Sequence, residues 1–104
     1  MSDSKGKSSS RTNVLDKVSI EPPKYYKVIF LNDDITTMEF VVFVLVKIFE
    51  KDNKNAHLLM LDIHHKGSAV VGEYPKDIAY TKAEFTKKLA KDQNYPLQIK
   101  VERV

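Results

Sequence analysis

A chain of 104 residues, 42% hydrophobic and 30% charged, has room for one domain with a single core, but not for a deep cleft between two lobes. It contains no cysteine, which excludes disulfides, thiol catalysis and cysteine-based zinc or iron–sulfur centres. The net charge of +3 is spread among interspersed acids with no tight basic block, and no apolar run reaches the roughly 18 residues of a membrane helix. No apolar leader opens the chain, so the expected compartment is the cytoplasm, with neither a membrane nor nucleic acid as partner.

Residues 1–20 are dominated by serine, lysine and glycine, with few apolar side chains to offset the entropy of ordering. They are expected to form a flexible N-terminal extension. Pro22 and Pro23 mark its end, which divides the chain into an extension over 1–22 and a core domain over 23–104. The aromatic and β-branched run from Tyr25 to Leu31 predicts a strand, stopped by Asn32, Asp33 and Asp34. Thr36 or Thr37 then caps a helix over about 38–49, with Glu39 three residues after Thr36 as in a capping box. The segment FVVFVLV is apolar enough for a buried strand to compete, but the cap, the length and the polar end favour helix.

Asp52 or Asn53 opens a second helix over about 54–66, with Ala56, Leu59, Met60 and Ile63 on one face and Gly67 as its stop. SAVVGEY predicts a second strand. Pro75 begins a third helix, to about residue 91, with Ile78, Thr81, Phe85 and Leu89 as its apolar stripe. LQIKVERV alternates apolar and polar residues and predicts a half-buried third strand. The order β-α-α-β-α-β implies an α+β two-layer sandwich, with a three-stranded antiparallel sheet packed on three helices.

Two segments can carry chemistry. Asn32, Asp33 and Asp34 line up oxygen acceptors where a strand becomes a helix. They read either as a turn-and-cap cluster or as a loop that accepts a cation. A primary ammonium fits such a loop better than calcium, because the graded ligand spacing and turn glycine of an EF-hand are missing. In HLLMLDIHHKG, Met60 and His64 are four residues apart and share a helix face, as a boundary pair or as part of a site. His64 and His65 are adjacent and diverge by about 100° on a helix, so no metal is expected. A hydrolase built on His64 and Asp33 lacks a nucleophile in an elbow context. A nucleic-acid-binding reading rests only on Tyr25 and Tyr26 beside Lys24 and Lys27.

The succession LNDD, TTMEFVV, MLDIHHKG, GEYPKDIAYTK and YPLQIKVE, from Pro22 to Glu102, closely resembles the ClpS adaptor family. The resemblance implies a non-enzymatic, cofactor-free adaptor. Such a protein binds N-degrons, meaning bulky hydrophobic N-terminal residues with a free α-amino group. It delivers their bearers to the ClpA-type AAA+ unfoldase of the ClpAP protease through that unfoldase's N-terminal domain. The family's α-amino-binding positions fall on Asn32, Asp33 and His64. Its hydrophobic pocket falls on Thr36, Met38, Val41, Met60, Ile63 and Leu97, and its unfoldase-facing surface includes Lys82. The extension over 1–20 is implied to modulate substrate hand-over. Ile63 stands where the family commonly has valine and Phe43 where it commonly has a polar residue. The extra methylene of Ile63 is expected to disfavour tryptophan relative to leucine and phenylalanine. An imidazole accepts from an ammonium only when neutral, and its reference pKa is about 6.5, so ligand binding is expected to weaken below about pH 6.

Overall fold

The computed structural model describes residues 24–104, and the expected N-terminal extension with its Pro22–Pro23 boundary lies outside them. The elements follow the predicted order: β1 (Tyr25–Leu31), α1 (Met38–Lys47), α2 (Asn53–Lys66), β2 (Ser68–Pro75), α3 (Lys76–Asp92) and β3 (Gln98–Arg103). The three strands form one antiparallel sheet in the order β2-β1-β3, so β1 is central.

Alternation along β1 turns Val28 and Phe30 into the core, where both are fully buried. The opposite face carries Lys27, cross-strand from Glu73 and Glu102. The register of β1 against β2 shifts between Val28 and Ile29, where Val28 faces Gly72 and Ile29 faces Val70. Val71 is the extra residue of this bulge, and at 1% exposure it joins the core. Gly72 beside it leaves room for the Tyr74 side chain: a Cβ there would lie 2.5 Å from the Tyr74 hydroxyl and 2.7 Å from the ring, so the ring would have to shift.

α1 is a helix, not a strand. It ends at Lys47, two residues short of the expected stop, and Ile48 and Phe49 leave it to fill the core. The chain turns out through Glu50, whose φ of 60° lies in the left-handed region. α2 starts on Asp52, whose carboxylate accepts from the Asn55 amide at 2.7 Å. It stops at Gly67, where φ is 90°. Ala56, Met60 and Ile63 are its buried face, as the spacing predicts.

The third helix departs from expectation. Pro75 is its N-cap residue and the last residue of β2, not a first-turn residue. Its buried residues are Ala79, Ala83, Thr86 and Ala90, while Ile78 is 43% and Phe85 54% exposed. Three alanines let the helix axis lie close to the sheet, and the bulky residues one position away are turned outward. Thr86 is tolerated in the core because its hydroxyl donates to the Lys82 carbonyl at 2.8 Å. No helix among the described residues is long and apolar enough to cross a membrane.

Candidate binding site at the end of the central strand

A cavity of about 440 Å³ opens where β1 gives way to the loop before α1 and faces the C-terminal half of α2. The loop contributes Asn32 to Thr37, α1 contributes Met38, Glu39 and Val41, and α2 contributes Met60, Ile63 and His64.

The strand's hydrogen-bond ladder sets the loop's starting point. Asn32 donates its amide to the Gly67 carbonyl at 2.8 Å, one step past the Leu31–Ser68 pair. Asp33 then folds the loop on itself. Its Oδ1 accepts from the amides of Ile35 at 2.8 Å and Thr36 at 2.6 Å, and its Oδ2 accepts from the Thr36 hydroxyl at 2.7 Å. Partial burial pushes the Asp33 carboxyl upward, but these three bonds outweigh burial and hold it below its ordinary value. Asp33 is therefore a charged turn residue: the turn reading and the anionic-loop reading of this cluster describe the same carboxylate.

Thr37, not Thr36, is the cap of α1, accepting from the Phe40 amide at 3.1 Å. The Thr37 hydroxyl also donates to the Tyr95 hydroxyl at 3.4 Å, and the Tyr95 ring packs edge-on against Phe40 at 5.0 Å. With Thr37 as cap, Phe40 occupies the third helical position, so no capping box forms. Glu39 stays exposed on the cavity wall, with no hydrogen-bond or ion-pair partner among the described residues.

Asn32 and His64 are exposed, and neither the Asn32 carboxamide nor the His64 ring nitrogens bond to another described residue. Both therefore keep acceptors for a ligand. Below them Val41, Met60 and Ile63 are 7%, 4% and 3% exposed and give the cavity an apolar floor. Three carboxylates, from Asp33, Asp34 and Glu39, line it, and no lysine or arginine does. The cavity is thus locally anionic on a chain whose net charge is +3. Its chemistry suits a ligand with a cationic, donor-rich end and an apolar side chain.

The structure brings together Asn32, Asp33, Thr36, Met38, Val41, Met60, Ile63 and His64. It does not bring Leu97 to the cavity wall; that residue is 8% exposed in the core just before β3. Lys82 also lies apart. Its ammonium donates to the Ile48 carbonyl at 2.6 Å, closing the C-terminus of α1, and stands 5.3 Å from the Tyr74 ring centre and 5.9 Å from that of Phe49. Asp34, part of the expected acceptor cluster, lines the cavity too, and Ile35, Thr37 and Glu39 line it without having been assigned to it from sequence. The signal for Glu39 was its charge, which the capping-box reading assigned to the backbone.

No hydrogen bond joins His64 to Asp33, whose two oxygens are occupied within the loop, so the dyad of the hydrolase reading is not assembled. The His64 and His65 rings lie 5.4 Å apart at 57°. Among the described residues no three His, Cys, Asp or Glu side chains gather as a metal site.

The fold and cavity define a small α+β domain with a preformed pocket. Residues 21–100 match the profile of the family described as ATP-dependent Clp protease adaptor protein ClpS. The chain is 46% identical over 92 residues to the ATP-dependent Clp protease adapter protein ClpS of Campylobacter jejuni strain RM1221, covering 88% of this chain and 96% of that one. It is 47% identical over 93 residues to the Clostridium acetobutylicum protein of the same name, covering 89% and 92%. Among solved structures it superposes on Agrobacterium tumefaciens ClpS2 bound to L-phenylalaninamide with a TM-score of 0.76 and 41% identity, covering 80% of this chain and all of that one. The chain belongs to the ClpS family of Clp protease adaptors.

Proposed function

We propose that this protein binds the free amino end of polypeptides that begin with a bulky hydrophobic residue, and delivers them to the ClpA-type unfoldase of the ClpAP protease. The carrying observation is the pairing of two unused acceptors, Asn32 and His64, with an apolar floor of Val41, Met60 and Ile63 inside an anionic rim. A polypeptide N-terminus has a pKa of about 7.7–8.0 and is mostly a cation with three donors at neutral pH. Asn32 Oδ1 and an unprotonated His64 nitrogen accept two of its hydrogens, and Asp33, Asp34 and Glu39 supply the opposing charge. The first side chain then enters over Met38 onto the floor. The relative bound to L-phenylalaninamide supports the reading, because that molecule carries both a free α-amino group and a large apolar side chain.

Charge-assisted hydrogen bonds of about 1.5–3 kcal/mol each and a buried side chain of similar worth, less the ordering costs, correspond to roughly micromolar binding. That strength suits a carrier that must release its load. The protein acts without chemistry of its own, in the cytoplasm. Residues 1–20 serve as the extension that modulates hand-over, and the α3 surface around Lys82 meets the unfoldase's N-terminal domain.

The test is fluorescence anisotropy with short peptides. A free N-terminal Leu or Phe peptide is expected to bind, while its N-acetylated form and peptides starting with Gly or Ala do not. Equal binding of the acetylated and free forms would refute the reading. For delivery, the unfoldase and its peptidase are expected to degrade a Leu-initiated reporter faster with this protein present, and an unchanged rate would overturn that step.

A further inference from the structure

A second apolar groove, of about 540 Å³, adjoins the first along α1 and α2. Met38, Glu39 and Met60 line both, and Val42, Phe43 and His57 complete the second. Phe43 is 50% exposed and Met38 43%, on a helix whose other side buries Val41, Val44 and Leu45. The two cavities thus share a boundary of Met38, Glu39 and Met60, apolar except for the exposed Glu39 carboxylate.

The spacing along α2 gives the groove a scale. His57, Met60 and His64 follow one another at about one-turn intervals, so seven residues separate the far groove from the amino-end acceptor, or roughly 10 Å at about 1.5 Å per residue. An extended chain advances about 3.3 Å per residue and turns every second side chain to the same side. A polypeptide whose first side chain enters the first cavity carries its third side chain about 7 Å further on, a span that reaches the adjoining groove if the chain leaves across Met38 and Met60.

We infer that the groove of Val42, Phe43 and His57 is a second subsite that takes the third side chain of the bound polypeptide, preferring a large apolar residue and disfavouring an acid. Phe43 and Met38 supply the contact surface, and the Glu39 carboxylate on the shared wall repels an acidic side chain. The inference rests on the amino-end reading of the first cavity. It adds a sequence preference beyond the first residue.

The experiment uses the full chain and three Leu-initiated, free-amino peptides that differ only in a third residue of Phe, Gly or Asp. The Phe peptide is expected to bind about three- to tenfold more tightly than the Gly peptide, from partial burial of one aromatic ring, and the Asp peptide more weakly than both. In Phe43→Ser the advantage of Phe over Gly is expected to vanish while the Gly peptide binds as before. His57→Ala, on the opposite wall, is expected to reduce the same advantage and serves if the first variant does not fold. Equal affinity for the Phe and Gly peptides, with acetylation still abolishing binding, would overturn the subsite and leave the amino-end reading standing. A Phe advantage that survives both substitutions would also overturn it. Binding indifferent to acetylation would remove the amino-end reading and the subsite together.

Discussion

The backbone amide of Asn32 donates to the carbonyl of Gly67 across 2.8 Å, and that bond ties an acceptor at the end of β1 to the helix end that carries His64. Gly67 holds a φ of 90° and donates its own amide to the Ile63 carbonyl. One residue thus stops α2, directly precedes β2 and anchors the loop. A Cβ at Gly67 would meet nothing within 4 Å, so Gly67→Ala tests backbone geometry alone. The left-handed conformation costs a non-glycine residue about 1–2 kcal/mol, so chemical denaturation is expected to show a loss of that size. Peptide affinity is expected to fall as well, because Asn32 and His64 lose their common reference.

Asn32→Ala and His64→Ala are expected to separate binding from stability. Both side chains are exposed and bond to no described neighbour, so the unfolding free energy should move by less than about 0.5 kcal/mol. Each removes a charge-assisted acceptor, and affinity for a Leu-initiated peptide is expected to fall about tenfold or more. A wild-type anisotropy curve from either variant would exclude that residue as an acceptor.

Asp33 is expected to behave in the opposite way, as a structural residue with a pH signature. Its three loop bonds hold the folded carboxyl below the ordinary value of 3.8, so its stabilisation is fully present above that value. It is lost as pH falls through the depressed folded value. Asp33→Ala is expected to cost about 0.5–2 kcal/mol at neutral pH, the range of a lost capping carboxylate. The gap between variant and wild type should close in strong acid; a gap that is constant down to pH 2 would contradict the charge-assisted turn. Asp33→Asn keeps one acceptor for the two amides and is expected to lose less.

Ile63 tests the shape of the floor. It is 3% exposed and lines the cavity, so Ile63→Val enlarges the pocket by one methylene at a stability cost of about 0.5–1.5 kcal/mol. The affinity of a Trp-initiated peptide relative to a Leu-initiated one is expected to rise in the variant. An unchanged ratio would show that this position does not set the size limit.

Much of the architecture is written in local chemistry. A β-branched and aromatic run makes β1, Asp52 and Gly67 bound α2, and the Ala56–Met60–Ile63 spacing marks its buried face. α3 was harder to read because its sequence carries two candidate stripes one position apart. Ile78 and Phe85 have the greater hydrophobicity, but Ala79, Ala83 and Ala90 have the smaller volume. The choice between them depends on how closely the helix approaches the sheet, a distance that no local pattern encodes.

By itself the sequence determined the order of the elements, the acceptor cluster at Asn32–Asp34 and the pairing of Met60 with His64 on one face, because these follow from spacing along one chain segment. Only the tertiary structure decided where the charges went. It made Thr37 the cap and so left Glu39 on the cavity wall, occupied Asp33 within its own turn, kept Leu97 in the core and set Lys82 on the Ile48 carbonyl. The Thr37 cap and the Asp33 turn are bonds only two or three residues long, chosen among rival local acceptors once the loop is placed. The Leu97 and Lys82 outcomes instead depend on which apolar surface or carbonyl packing brings within a few ångströms from another part of the chain.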